Sequence, residues 1–109
     1  MSYLLQHGWR IEAHRFRLGH HDLDLVARHG SVVAFIEVKT RRSFRFGAPE
    51  QSVSPRKRSI LARVARLWQL RFGHPDDCYR FDLIGVVESD SSPNPQITHI
   101  EDAWRGVEK

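Results

Sequence analysis

Apolar and polar residues roughly alternate from Trp9 to Phe16, the period-2 pattern of a strand with one covered face. A turn at Gly19-His20-His21 leads to a second strand over Leu23–Ala27. Val32–Val38 differs from both. Val32, Ala34, Ile36 and Val38 make one face apolar, and Val33 and Phe35 do the same for the other, so this strand is expected at the centre of a sheet covered on both sides. Between the last two strands His29-Gly30 reads as a tight turn in which Gly30 can take positive φ. Ser54 as a cap and Pro55 at the first helical position open the clearest helix. Its apolar stripe is Ile60, Leu61, Val64, Leu67 and Trp68, and Gly73 and Pro75 stop it. Upstream, Tyr3-Leu4-Leu5 reads as the end of a helix halted by Gly8. Tyr79–Val87 is a fourth strand, apolar on both faces. Ser89–Pro95 reads as a surface loop and Ile97–Ile100 as a short fifth strand before a polar tail. Helix, three strands, helix and two strands predict one domain over residues 1–109, a hairpin-rich mixed sheet of about five strands with a helix on it, an α/β or α+β sandwich.

The hairpin predicts more than shape. If Arg28 pairs with Ser31 across the turn, Asp24 lies opposite Phe35 and Asp22 opposite Glu37. Opposed residues share a sheet face, as do residues two apart on one strand. Asp22, Asp24, Glu37 and Lys39 then project together, and a slip of one residue would separate the acids of the two strands. Carboxylates crowded beside an apolar central strand repel one another and resist desolvation. A divalent cation relieves both, and Mg²⁺ typically uses one or two carboxylates with waters and substrate phosphate. Lys39 would then steady a phosphate or an attacking water, the arrangement of metal-assisted phosphodiester hydrolysis. The plainer alternative is structural, with Asp22 and Asp24 capping the turn and Glu37 paired with Lys39 or Arg41.

Charge gives this site a partner. The net charge of the chain is +4, but Lys39–Arg71 alone carries +9, with Glu50 as its one acid. A basic surface facing an anionic partner is expected, with a solvated arginine-rich helix face as the plainer reading. The single cysteine, Cys78, excludes an internal disulfide and fits a reducing compartment; such a residue is usually a buried small hydrophobe. No apolar run approaches the ~18 residues of a membrane span, and the N-terminus shows neither a basic region nor a cleavage signal, so a cytoplasmic chain away from membranes is expected. The seven histidines do not form a zinc motif. His20 and His21, as strand neighbours, would point to opposite faces, and no cysteine lies nearby.

Gly19–Arg28 and Val33–Arg41 resemble the central signature of the YraN-like, endonuclease-like family. The resemblance continues through Phe46-Gly47-Ala48-Pro49, Val53-Ser54-Pro55-Arg56-Lys57, Arg80-Phe81-Asp82 and His99–Trp104, in order along nearly the whole chain. It implies a three-layer α/β fold of the restriction-endonuclease-like (PD-(D/E)xK) kind, related to Holliday-junction resolvases. It also implies Mg²⁺ or Mn²⁺ held by Asp24, Glu37 and the Val38 backbone carbonyl, with Asp22 as a further candidate ligand and Lys39 assisting the attacking water. The chain departs from the family pattern twice. The tail of the first helix, Tyr3–Gly8, carries no acid, and Asp22 stands where Glu is usual.

Arg41, Arg42, Arg45, Arg56, Lys57, Arg63 and Arg66 are the expected phosphate contacts, supplying affinity and salt dependence rather than sequence preference. Phe44 and Phe46 either stack on exposed bases or anchor their loop to the core. Asp82, in an otherwise apolar strand, is either a buried capping group or a group supporting the site. The leading reading is a metal-dependent endonuclease acting on DNA, including branched DNA, and a homodimer would suit symmetric two-strand cleavage. The alternative is a non-catalytic nucleic-acid-binding domain that retains the nuclease fold. A third is an interaction module whose basic face meets an acidic protein.

Overall fold

The computed structural model describes residues 2–41, 53–89 and 92–105, with Ser89 and Ser92 described by their backbone alone. Helix α1 (Ser2–Gln6) leads into strands β1 (Arg10–Leu18), β2 (His21–His29) and β3 (Val32–Arg41). Helix α2 (Pro55–Phe72) follows, then strands β4 (Cys78–Ser89) and β5 (Ser92–Trp104). The five strands form one sheet in sequence order, β1-β2-β3-β4-β5. β3 and β4 run parallel and the other pairs antiparallel, so the sheet is mixed. The parallel pair needs a crossover, which the segment containing α2 supplies.

Two apolar clusters lie on the two faces of the sheet. Under α2, Leu61, Val64 and Trp68 pack with Val26, Val33, Phe35, Phe81 and Trp104. On the other face Leu4 of α1 packs with Trp9, Leu25, Ala34, Ile36 and Ile84. β3 feeds both clusters from alternate positions, as its two-sided apolar pattern requires. The result is the expected three-layer α/β architecture, helix on sheet on helix.

The starts and stops of the elements follow local chemistry. Ser54 sits in extended backbone and its Oγ accepts the Lys57 N–H at 3.2 Å, so α2 begins where the cap and Pro55 indicated. Gly73 ends α2 with its N–H donated to the Gln69 carbonyl at 2.9 Å. The arginines Arg56, Arg63 and Arg66 all lie on the exposed side of this helix.

Three expectations need correction. First, the β2–β3 hairpin turns one residue later than the pattern suggested, which displaces its pairing by two. His29 pairs with Val32 and Arg28 with Val33, so Gly30-Ser31 is the loop and Gly30 takes φ +61°. A displacement of two preserves the sheet face, whereas a displacement of one would have reversed it. Second, β5 is a 13-residue strand reaching Trp104, not a short strand between a loop and a polar tail. It is an edge strand, which tolerates Pro93 and Pro95, and its register with β4 shifts between Val87 and Ser89, at the end where they lie. Third, Cys78 is exposed. It opens β4 beside the β2–β3 turn, where its N–H binds the Ser31 carbonyl at 2.8 Å, outside either apolar cluster.

Candidate active site

The site forms where β2 parts from β3. Their ladder ends at Leu25↔Ile36, although β3 continues beside β4 as far as Arg41↔Val87. One step further in the same register would put Asp24 level with Glu37. At that level β2 loses its alternation: Leu23 and Val26, three residues apart, both enter the core under α2. β1 does the same, with Ala13 and Phe16 packed on that core and Arg15 between them at φ +50°. A regular strand would put residues three apart on opposite faces. The kink is therefore shared by both strands at the level of Asp24.

Into this opening Asp24 turns its carboxylate toward the free side of β3, and Oδ2 accepts the Val38 N–H at 2.8 Å. The N–H and C=O of one strand residue project to the same side, so the Val38 carbonyl faces the same gap. Glu37, one residue earlier on β3, points to the α2 face and is only 3 % exposed. Its Oε2 lies 3.5 Å from Nζ of Lys57, in the first turn of α2. Its Oε1 is buried without a hydrogen-bond partner among the described residues. Burial, reinforced by the negative charge of Asp24, pushes the Glu37 carboxyl above its ordinary pKa; Lys57 and Lys39 oppose this only in part. Asp24, Glu37, Val38, Lys39 and Lys57 thus form one electrostatic neighbourhood.

Asp22, on the β1–β2 hairpin, lies beside the same cleft as Lys57. It reaches Arg17 at 3.5 Å across the hairpin and lines this open cleft of about 250 Å³. His20, His21, Arg56 and Lys57 line the same cleft. Among the described residues no three His, Cys, Asp or Glu side chains converge as a metal site. A cation here would be held by Asp24, Glu37, the Val38 carbonyl and waters. Those are oxygen donors with two carboxylates, the set that suits Mg²⁺ or Mn²⁺. Glu37 Oε1, without a partner among the described residues, would offer such an ion a ligand atom.

Arg41, at the end of β3, is exposed, as are Arg56, Arg63 and Arg66 on α2. Arg42, Arg45, Phe44 and Phe46 lie outside the described residues. Sequence reasoning placed Lys57 among the phosphate contacts and missed its approach to Glu37. The two are 20 positions apart in sequence, and only the packing of α2 on the sheet joins them.

Asp82 is settled as a structural group. It is fully buried and sits across β3–β4 from Ile36, which packs on the α1 side. Its carboxylate accepts two hydrogen bonds from Arg80 at 2.9 and 3.1 Å and one from the Asp102 N–H at 3.0 Å, and pairs with His99 Nε2 at 2.7 Å. Burial alone would raise its pKa, but the bonds from His99, the Asp102 N–H and Arg80 outweigh it and hold the carboxyl below the usual range.

In its layering the molecule is a three-layer α/β domain built on a five-stranded mixed sheet. The comparison of sequences gives it a family. The chain belongs to the uncharacterised protein family UPF0102, whose model matches residues 1–86, in agreement with the YraN-like resemblance. It is 36% identical over 104 residues to a UPF0102 protein of Geobacter metallireducens, covering 95% of this chain and 84% of that protein. It is 40% identical over 85 residues to a UPF0102 protein of Symbiobacterium thermophilum, covering 78% of this chain and 72% of that one. Among the described residues no helix is long and apolar enough to cross a membrane.

Proposed function

We propose that this protein is a Mg²⁺- or Mn²⁺-dependent endonuclease that hydrolyses phosphodiester bonds in DNA, including branched or otherwise structured DNA, in the cytoplasm. The observation that carries the reading is the Glu37 carboxylate, buried, with one oxygen unpartnered among the described residues, beside an Asp24 held against the same strand. A purely structural carboxylate is normally satisfied, as Asp82 is in this same sheet. An unsatisfied buried carboxylate in a domain with little surplus stability points to a role in chemistry.

The bound cation supplies Lewis-acid stabilisation of the phosphorus centre and a more acidic water. The chain supplies the rest. Asp24 and Glu37 hold the charge that recruits the ion, and the Val38 N–H fixes the orientation of Asp24. Lys39, two residues beyond Glu37 on the same strand, positions the attacking water or the phosphate oxygen. Arg41, Arg56, Arg63 and Arg66 hold the flanking backbone phosphates.

The convergence of only two carboxylates among the described residues is the observation that favours the second reading, a nucleic-acid-binding domain without efficient chemistry. One pair of experiments decides. Calorimetric titration of Mn²⁺ into wild type and Asp24→Asn should show binding that depends on Asp24. Incubation of wild type and Lys39→Ala with branched and linear DNA should show cleavage lost in the variant while DNA binding persists. DNA bound by wild type with no metal uptake and no cleavage would leave the non-catalytic reading standing.

A further inference from the structure

Lys57 is set apart from the other cations of α2. Its backbone is pinned in the first helical turn by Ser54, so only its side chain can move. That side chain spans two environments: Nζ reaches buried Glu37 Oε2 at 3.5 Å, yet the side chain is 45 % exposed and lines the cleft shared with Arg56, His20 and His21. A lysine ammonium is a compact charge on a flexible four-carbon stem, suited to exchange between two such positions.

The electrostatics set the order of events. Glu37 is buried beside Asp24 with one oxygen unpartnered among the described residues, so it needs a cation, and among the described residues Lys57 is the cation that pairs with it. A dication at the same carboxylates would come within a few ångströms of the ammonium and repel it. The repelled side chain has the cleft as its outlet, next to Arg56.

Resting on the nuclease reading above, we infer that Lys57 is a counter-ion switch: it neutralises Glu37 until a divalent cation displaces it, and the displaced ammonium then contacts a nucleic-acid backbone phosphate in the cleft. Metal and nucleic acid are thereby coupled through one side chain. Because such coupling is reciprocal, each ligand tightens the other. Lys57 is a positioning residue in this scheme and does not itself activate water.

The sign of one effect tests it. Mn²⁺ affinity is measured by calorimetry with wild type, Lys57→Met and Lys57→Gln, alone and with a non-cleavable phosphorothioate duplex. Removing the resident cation should tighten Mn²⁺ binding to the free protein about fivefold or more, while the gain in duplex affinity caused by Mn²⁺ shrinks by a similar factor. Unchanged or weaker Mn²⁺ binding in both variants, or a metal-dependent gain in duplex affinity equal to that of wild type, would overturn the switch. Mn²⁺ binding by wild type that needs Asp24 but ignores Lys57 would sink the switch and leave the nuclease reading intact. No Mn²⁺ binding by wild type would remove both.

Discussion

Replacing Glu37 by Gln should make the protein more stable. Glu37 is 3 % exposed, its Oε1 has no partner among the described residues, and Asp24 adds a second negative charge nearby. An unsatisfied buried polar atom costs about 1–3 kcal/mol, more when charged. The stabilisation on the other side is the Lys57 pair. At 3.5 Å, with its ammonium side chain 45 % exposed, it contributes no more than about 1 kcal/mol after screening by solvent. Glutamine has the same shape, keeps an acceptor for Lys57 and gains an N–H₂ that can donate toward Asp24. The net gain should be about 1 kcal/mol, raising Tm by roughly 5 °C for a domain of this size. The pH dependence has a definite sign. The folded pKa of Glu37 lies above its ordinary 4.5, so the native state prefers the protonated carboxyl. The handicap of the wild type is absent below the ordinary value and grows as pH rises through the folded one. Thermal melts followed by circular dichroism in EDTA should therefore separate the two proteins at pH 7.5 and bring them together near pH 4. A variant destabilised by 1 kcal/mol or more at pH 7.5, or a gap that widens on acidification, would show that Glu37 anchors the fold and would refute the argument.

Other groups should behave in the opposite way. Arg28, with its side chain 12 % exposed, is gripped at both ends of its guanidinium by Asp77, with Nη1–Oδ1 2.6 Å and Nη2–Oδ2 3.1 Å, and its Nε donates to Glu12 at 2.7 Å. Asp77→Asn should cost about 3 kcal/mol in urea denaturation, because it leaves a buried guanidinium without its main partner. The Arg28 hydrogen bond holds the Asp77 carboxyl down at about 2, so its stabilisation is complete above the ordinary 3.8 and lost as pH falls toward 2. Stability of wild type should fall more steeply than that of Asp77→Asn across that window. Asp82→Ala should destabilise by about 3 kcal/mol by removing the main hydrogen-bond partner of Arg80 and His99, yet leave the Mn²⁺ affinity of the folded fraction unchanged, since Asp82 serves the opposite face. Gly73→Ala should cost about 1–3 kcal/mol in the same assay, because an added Cβ would sit 2.6 Å from the Gln69 carbonyl oxygen and collide with the Tyr79 hydroxyl.

Much of this molecule is local and could be read from residue order. The cap at Ser54-Pro55, the stop at Gly73 and the central position of Val32–Val38 depend on period and cap chemistry. A hairpin pairing displaced by two residues changes none of these. What depends on ladders between distant segments could not be read in this way. The length of β5 was hidden because its extension depends on pairing with β4, seen at Ser92 and Gln96 on either side of the two prolines, and not on composition. The exposure of Cys78 follows from where β4 begins beside the β2–β3 turn. The two roles left open for Asp82 were separated only by which face of β4 it occupies and by His99 and Asp102, 17 and 20 positions away.

The sequence by itself determined the layers, the central strand and the start and stop of α2, since periodicity and turn chemistry act over a few residues and need no knowledge of the rest of the chain. Only the tertiary structure decided that β2 kinks away from β3 at Asp24, that Asp22 turns to Arg17, and that Lys57 reaches Glu37. Each of those facts is a distance between segments, and such distances are set by how α2 and the two edge hairpins close over one sheet, not by the residues adjacent in the chain.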